Sequence, residues 1–371
     1  MTVVVALDSF KGSIAAAAAA QAVADGWRES DPDAAIVLRP MADGGEGTLA
    51  AFAAAVPGAA PHGIRVRGPR GAEVDAQWLL LPGGTGVVEL ASTSGIELLG
   101  DDRLPWDADT TGFGEAIAAA LDAGVHRLVL GIGSSASTDG GLGMLRALGG
   151  HFRDADGTDT CRGARGLAAV AAADLSGLRP LPPGGVLVLS DVTNPLTGPQ
   201  GAAAVFGPQK GLTGADIAAV DAALHRWAAL APSSSPGGPV DSALPGAGAA
   251  GGTGFALALW GASLRPGAGE VAELIGLREA VAAASVVVTG EGSFDGQSAA
   301  GKVPAFVQGV AREAGVPSVL VAGRIAPDAD ASGFADAVSL TDLAGSAAAS
   351  MAAPAQWLRE AGRRLGAASR A

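Results

Sequence analysis

Short apolar runs that stop in glycine- and hydroxyl-rich loops, each followed by a helix-forming segment, recur from one end of this chain to the other. Residues 3–7 run into DSFKGS and an alanine-rich helix over 14–29, and a strand over 36–39 leads to ADGGEGT and a helix over 49–55. Residues 127–130 lead to GIGSSASTDGG and a helix over 142–148, while 185–190 lead to DVTNP. Near the end, 285–288 lead to TGEGSFDGQSAAGK and a helix over 304–314, before a buried strand over 316–322 and a helix over 354–367. Apolar runs this short, with no polar alternation, read as strands covered on both faces, and their alternation with helices predicts an α/β protein with a parallel sheet. Loops that directly follow such strands fall at the carboxyl edge of the sheet, where open α/β proteins bind ligands.

One region breaks the pattern. Between 62 and 99 the segments 64–67, 74–81 and 87–90 are separated by the turns GPRG and PGGTG, which predicts antiparallel hairpins. A chain of 371 residues is too long for one ordinary core and implies two domains. The pattern assigns 1–61, 112–190 and 283–371 to a parallel α/β domain, and 62–111 with 191–282 to a second α/β domain inserted into it. Residues 232–254, rich in serine, proline and glycine, carry no periodicity and read as a long loop.

Composition narrows the function. Apolar residues make up 49% and charged residues 16%, the balance of a globular chain, and the net charge of −13 argues against nucleic-acid or anionic-membrane partners. The start, MTVVVALDSF, has no basic flank or cleavage site, and no stretch is long and apolar enough for a membrane span, so a cytoplasmic protein is expected. The single cysteine, Cys161, excludes an internal disulfide and reads as a loop thiol, and the four histidines show no metal-ligand spacing.

Of 24 basic residues only three are lysines, and each lies in a glycine- or serine-bearing motif: Lys11 in DSFKGS, Lys210 in GPQKG and Lys302 in AAGKVP. The one asparagine, Asn194, lies in DVTNP. Where arginine has replaced lysine almost everywhere else, the surviving lysines mark positions that need a compact ammonium rather than a planar guanidinium. That points to an anion-handling site, most simply for phosphate.

The loops supply the matching chemistry. DSFKGS joins Asp8, Ser9, Lys11 and Ser13 just before a helix, where backbone N–H groups favour an anion; as an ordinary turn, it would use Ser13 as the helix N-cap. Ser134 and Ser135 bring hydroxyls to GIGSSASTDGG, whose GxGxxA sequence over 131–136 also supports a rival reading, a Rossmann-type NAD(P)-dependent oxidoreductase acting on a small hydroxy acid. GQSAAGK over 296–302 matches the GxxxxGK part of a phosphate loop, but Val303 stands where the Mg2+-binding hydroxyl would be. Asp191 in DVTNP, and Glu291 and Asp295 in GEGSFD, put carboxylates at strand ends. Phosphoryl transfer needs such a set: carboxylates for Mg2+, an ammonium against the transferred group and a carboxylate to accept a hydroxyl proton.

In order and spacing, DSFKGS, ADGGEGT, ELASTSGIEL, GIGSSASTDGGLGM, DVTNPLTGPQGAAAVFGPQKG, PGAGAAGGTGFAL and TGEGSFDGQSAAGKVP resemble the bacterial glycerate kinases that act on D-glycerate. The resemblance spans nearly the whole chain. It implies a flavodoxin-like parallel α/β/α domain with an inserted second α/β domain of restriction-enzyme-like type, and an active site in the cleft between them. It also implies ATP and Mg2+ as cosubstrates, transfer to a glycerate hydroxyl with 2-phosphoglycerate favoured over 3-phosphoglycerate, and a place in glyoxylate or sugar-acid breakdown; a homodimer is within the expectation. On this reading Lys11 and Asp191 are catalytic, and Asp191 and Asp295 serve the metal. Asp8, Ser9, Ser13, Asp43, Ser134, Ser135, Asn194, Lys210 and Lys302 bind substrate or phosphate, and Gly290, Glu291 and Gly292 bind the nucleotide. The three lysines should then converge, Lys210 closing over the ligand. The chain departs from many members at Ser293, where they have arginine, at Phe113, where they have threonine, and at Leu7, where they have proline; Phe113 would narrow one wall of the cleft. A sugar-acid sensor without catalysis is the third alternative.

Overall fold

The computed structural model describes residues 1–232, 234–296 and 303–370. Its strands in chain order are β1 (Thr2–Leu7), β2 (Ala35–Leu38), β3 (Ala60–Arg67), β4 (Glu73–Leu81), β5 (Thr85–Glu89), β6 (Arg127–Gly131) and β7 (His151–Arg153). There follow β8 (Ala172–Asp174), β9 (Val186–Leu189), β10 (Ser263–Arg265), β11 (Val286–Phe294), β12 (Ser318–Ile325) and β13 (Asp336–Ser339). With helices between them they form a mixed α/β protein of two compact units, residues 1–43, 50–57 and 268–371 in the first and 44–49 with 58–267 in the second.

The first unit holds a five-stranded sheet ordered β13-β12-β11-β1-β2, parallel throughout. Numbered within this sheet the order is 2-1-3-4-5, that of a doubly wound sheet whose chain direction switches between β1 and β11. Val3, Val5, Leu7, Val288 and Val321 bury the strands against Val23, Trp27, Leu358 and Leu365 of the first and last helices, Ala16–Ser30 and Pro354–Ala368. Those helices touch backbone to backbone: a Cβ on Gly26 would lie 1.8 Å from the Arg359 carbonyl oxygen, so alanine there would force them apart.

The second unit holds a six-stranded sheet ordered β10-β9-β6-β5-β4-β3 and a small antiparallel pair, β7 and β8. The hairpin region folds as expected, with β3, β4 and β5 antiparallel. From β5 onward the sheet is parallel through β6, β9 and β10. Phe113, Ile117, Leu130, Met144, Val188 and Phe255 fill its core, where Trp227 stands edge-on to Phe152 and Phe255.

The domain boundaries differ from the expectation. Residues 112–190 do not join the first sheet: β6 pairs with β5 and β9, so this segment belongs to the second unit. A buried parallel strand looks the same whichever sheet receives it, and apolar runs alone do not name their neighbours. The segment 232–254 also differs at its end, since a helix begins at Ala249 and runs to Trp260, its first turn interrupted by left-handed residues at Ala250, Gly251 and Gly252. No helix among the described residues is long and apolar enough to cross a membrane.

Candidate active site

In the first unit the carboxyl ends of β1 and β11 meet where the strand order switches. After β1 the chain makes a tight turn closed by Phe10 N–H to the Ile14 carbonyl at 2.9 Å and Ser13 N–H to the Phe10 carbonyl at 2.9 Å, with Gly12 at φ +73°. Lys11 sits at its tip. Its side chain is 79% exposed and its Nζ lies 3.2 Å from Asp43 Oδ2. Asp43 is the largest cause raising the Lys11 pKa, so the ammonium stays charged. Asp8, at the root of the turn, is buried and accepts Ser9 N–H at 2.6 Å. Burial, then the charges of Asp43 and Glu291, push its carboxyl up to about 7 against the opposing pull of the Ser9 amide and Lys11. Ser13 is exposed at the turn and does not cap the helix, whose N-cap is Ala15.

The GEG motif is part of β11. Gly290 pairs with Leu7 of β1 and Val321 of β12, and a Cβ on it would meet the Val321 carbonyl oxygen at 1.7 Å. That glycine is required by strand contact, whatever Gly292 and the buried Glu291 do for a nucleotide. Arg324 is the β12 partner of Ser293 and reaches its hydroxyl at 3.4 Å. It brings a guanidinium to this strand end; a lone arginine after an apolar strand carries no signal that sets it apart. Asp295 follows the end of β11, and Lys302 lies outside the described residues.

The second unit has its own cluster at the carboxyl ends of β5, β6 and β9. The loop after β6 rests on the glycines of ADGGEGT: Gly133 N–H bonds the Gly44 carbonyl at 2.9 Å, and a Cβ on Gly133 would meet Gly45 Cα at 2.5 Å. On its other side the Ser134 carbonyl accepts from Ile96 N–H at 2.8 Å, and Ala136 N–H donates to the Ser94 carbonyl at 3.0 Å. Ser134 is exposed, with φ +59°, a left-handed conformation that costs a serine roughly 1–2 kcal/mol.

Lys210 differs from expectation. Lys210 is only 3% exposed, and its Nζ donates to Ser135 Oγ at 2.7 Å and to the Ser137 carbonyl at 2.6 Å. It is a buried amine beneath the loop, not a side chain free to close over a ligand, and burial pushes its pKa down to about 7. The Ser135 hydroxyl accepts this bond and keeps its own O–H to donate. Asp139, fully buried, accepts from Thr110 N–H at 3.0 Å, Thr110 Oγ1 at 2.8 Å, and the amides of Gly141 and Gly143 at 3.1 Å each. Burial and neighbouring Asp109 raise its pKa. Asp109 is held by both Nε and Nη2 of Arg162.

Asp191 is exposed and accepts Gly267 N–H at 2.7 Å, whereas Asn194 donates to the Gln200 carbonyl at 2.7 Å within its own loop. Phe113 is wholly buried in the core of this unit, which corrects its expected place on a cleft wall. The GxGxxA sequence loses its dinucleotide context: Ser137–Gly141 separate Ala136 from the helix Leu142–Ala147, so the glycines do not open directly onto a helix N-terminus. Among the described residues no three carboxylate, histidine or cysteine side chains form a ready-made metal site.

Glu89 is the first residue of the ELASTSGIEL motif, and nothing local in the sequence marks it out. It ends β5 and accepts the amides of Leu49 at 2.9 Å and Gly47 at 3.3 Å. Burial pushes its pKa up from 4.5 to about 7, with the amides of Leu49 and Gly47 opposing. A raised folded-state pKa stabilises fully below the unfolded value, and this contribution is lost as pH climbs toward 7. Glutamine does not titrate, so the stability of the native chain relative to Glu89→Gln should fall between pH 5 and 7, by at most about 1.4 kcal/mol per unit. Urea unfolding of both proteins at the two pH values checks this, and parallel behaviour would mean that Glu89 does not titrate there.

A switch-point edge bearing an ammonium among carboxylates, in an α/β protein, suits an enzyme of anionic substrates. The model of the glycerate kinase family matches residues 3–370. The chain is 42% identical over 332 residues to a protein of Escherichia coli K12 named glycerate 2-kinase, covering 88% of this chain and 86% of the relative. It is 41% identical over 335 residues to the glycerate kinase of Bacillus subtilis 168, covering 89% and 87%. The crystal structure of a putative glycerate kinase 2 from Salmonella typhimurium LT2 matches with a TM-score of 0.85 at 39% identity, covering 100% of this chain and 98% of that one. The class is therefore that of kinases, enzymes acting on small molecules. Within it, the chain belongs to the glycerate kinase family.

Proposed function

We propose that the protein transfers the γ-phosphoryl group of ATP to the 2-hydroxyl of D-glycerate, giving 2-phosphoglycerate, with Mg2+ as the metal. The observation that carries this reading is Lys11: an exposed ammonium, held by Asp43 beside the buried Asp8 at the switch point of a parallel sheet. The choice of the 2-hydroxyl rests on the name of the Escherichia coli relative.

Lys11 neutralises charge on the transferred phosphoryl group, and Lys302 and Arg324 serve the phosphates beside it. Proton acceptance falls to Asp191 or Asp8. Asp8 has the stronger physical case, because a carboxyl held near 7 is partly ionised at neutral pH yet basic enough to take a hydroxyl proton. Glu291 and the glycines of its motif border the nucleotide. Magnesium in such reactions takes one or two protein carboxylates and completes its shell with phosphate oxygens and water. Asp43 and Glu291, whose charges both act on the buried Asp8, fit that demand and leave Asp8 to take the proton; Asp191 and Asp295 are the further carboxylates assigned to the metal. Bound there, the ion would neutralise phosphate oxygens.

Phosphorus NMR of the enzyme with ATP, Mg2+ and D-glycerate tests the reading. A 2-phosphoglycerate signal that requires both Mg2+ and ATP is expected. A 3-phosphoglycerate signal would move the reaction to the other hydroxyl, and no phosphoglycerate would end the kinase reading.

A further inference from the structure

The loop after β6 concentrates features that cost stability. Ser134 holds a left-handed backbone, the hydroxyls of Ser137 and Thr138 are buried with no hydrogen-bond partner, and the Lys210 amine is taken almost wholly out of water. Conformations of this kind persist only where their surroundings over-determine them, and they gather at functional sites. The main-chain bonds from Ile96, Ser94 and Gly44 hold the loop from outside. Beneath it, the grip comes from Lys210 on the Ser135 hydroxyl and the Ser137 carbonyl, which flank Ala136 and follow directly on Ser134.

Lys210 is itself fixed. It ends the one-turn helix Pro208–Lys210, which is stopped by Gly211 at φ +95°, where a Cβ would crowd Arg103 at 3.0 Å. An apolar side chain of similar length would fill the same space without the desolvation of a charge, but it could not donate two bonds to one loop.

We propose that Lys210 is a positioning residue for phosphoryl transfer, which grips the buried side of the loop and so holds Ser134 in the conformation that meets substrate at the carboxyl end of β6. This rests on the reading that the loop faces substrate. Lys210 touches none itself; it sets the geometry of the residue that does, so its loss weakens the hold on that one substrate.

Steady-state kinetics of Lys210→Met, Ser135→Ala and Ser134→Ala, with urea unfolding of each, test it. Lys210→Met is expected to unfold cooperatively and to raise the KM of one substrate about tenfold or more, with the other KM within about twofold. Ser135→Ala, which removes one of the two acceptors, should raise the same KM by a smaller factor. Ser134→Ala should raise it too. A purely structural lysine would lower the active fraction, and so the apparent kcat, with both KM values unchanged; that result overturns the proposal. Should Lys210→Met fail to fold, Ser135→Ala decides alone. If Ser134→Ala changes neither kcat nor either KM, the loop does not meet substrate, and the site reading fails independently of Lys210.

Discussion

Replacing Lys11 with methionine should lower kcat/KM for glycerate phosphorylation by about 10^2-fold or more, the loss typical of removing one preorganised group that meets charge developing in the transition state. Stability should hardly change. The side chain is 79% exposed, and exposed ion pairs like Lys11 with Asp43 contribute about 0–1 kcal/mol. The two effects therefore separate cleanly: kinetics collapse while the urea midpoint stays near that of the native protein. Lys11→Arg is the sharper companion. It keeps the charge but spreads it over a planar fork on a longer reach, so turnover should recover only partly. Full turnover in the arginine variant would show that charge alone suffices, and full turnover in Lys11→Met would remove the ammonium from the reaction.

The second large effect is on folding. Arg162→Met strips the guanidinium from Asp109, whose side chain is only 1% exposed, and breaking a buried pair from one side costs about 3–5 kcal/mol. Asp109 keeps bonds from Thr111 N–H at 3.2 Å and Thr111 Oγ1 at 2.9 Å, but neither brings positive charge, and Asp139 stands near enough for the two carboxylates to act on each other. Adding Asp109→Asn should restore much of the loss, because the stranded charge is then gone. Denaturant unfolding of the single and double variants forms the cycle. A single variant as stable as the native chain would show that water or rearrangement satisfies Asp109.

These expectations show how unevenly sequence reports on a site. The turn at Lys11 and the carboxyl-edge loops were legible, since glycine and hydroxyl signals follow directly on apolar runs, and strand ends in α/β proteins are where ligands bind. The opposite fates of Lys11 and Lys210 were not. Both are lysines beside glycine in polar motifs, yet one is mostly solvent-exposed and the other donates to Ser135 and Ser137 inside the second unit. Nothing local marks Glu89, because its role is to accept amides from residues some forty positions away. Gly290 has the sequence context of a nucleotide glycine, while its requirement comes from the Val321 carbonyl across the sheet.

The same division holds for the fold. Local apolar periods and turn residues determined, by themselves, that this chain alternates strands with helices, folds a hairpin region between β3 and β5, and carries its polar chemistry in the loops that follow strands. The family motifs, too, were in the sequence. Only tertiary structure decided that β6 and β9 join β5 rather than β1, and which charges are exposed or buried. Backbone pairing between parallel strands uses N–H and C=O groups that every residue carries, so partners are chosen by packing across distant segments. Burial of a lysine or an aspartate likewise depends on what the rest of the chain folds over it.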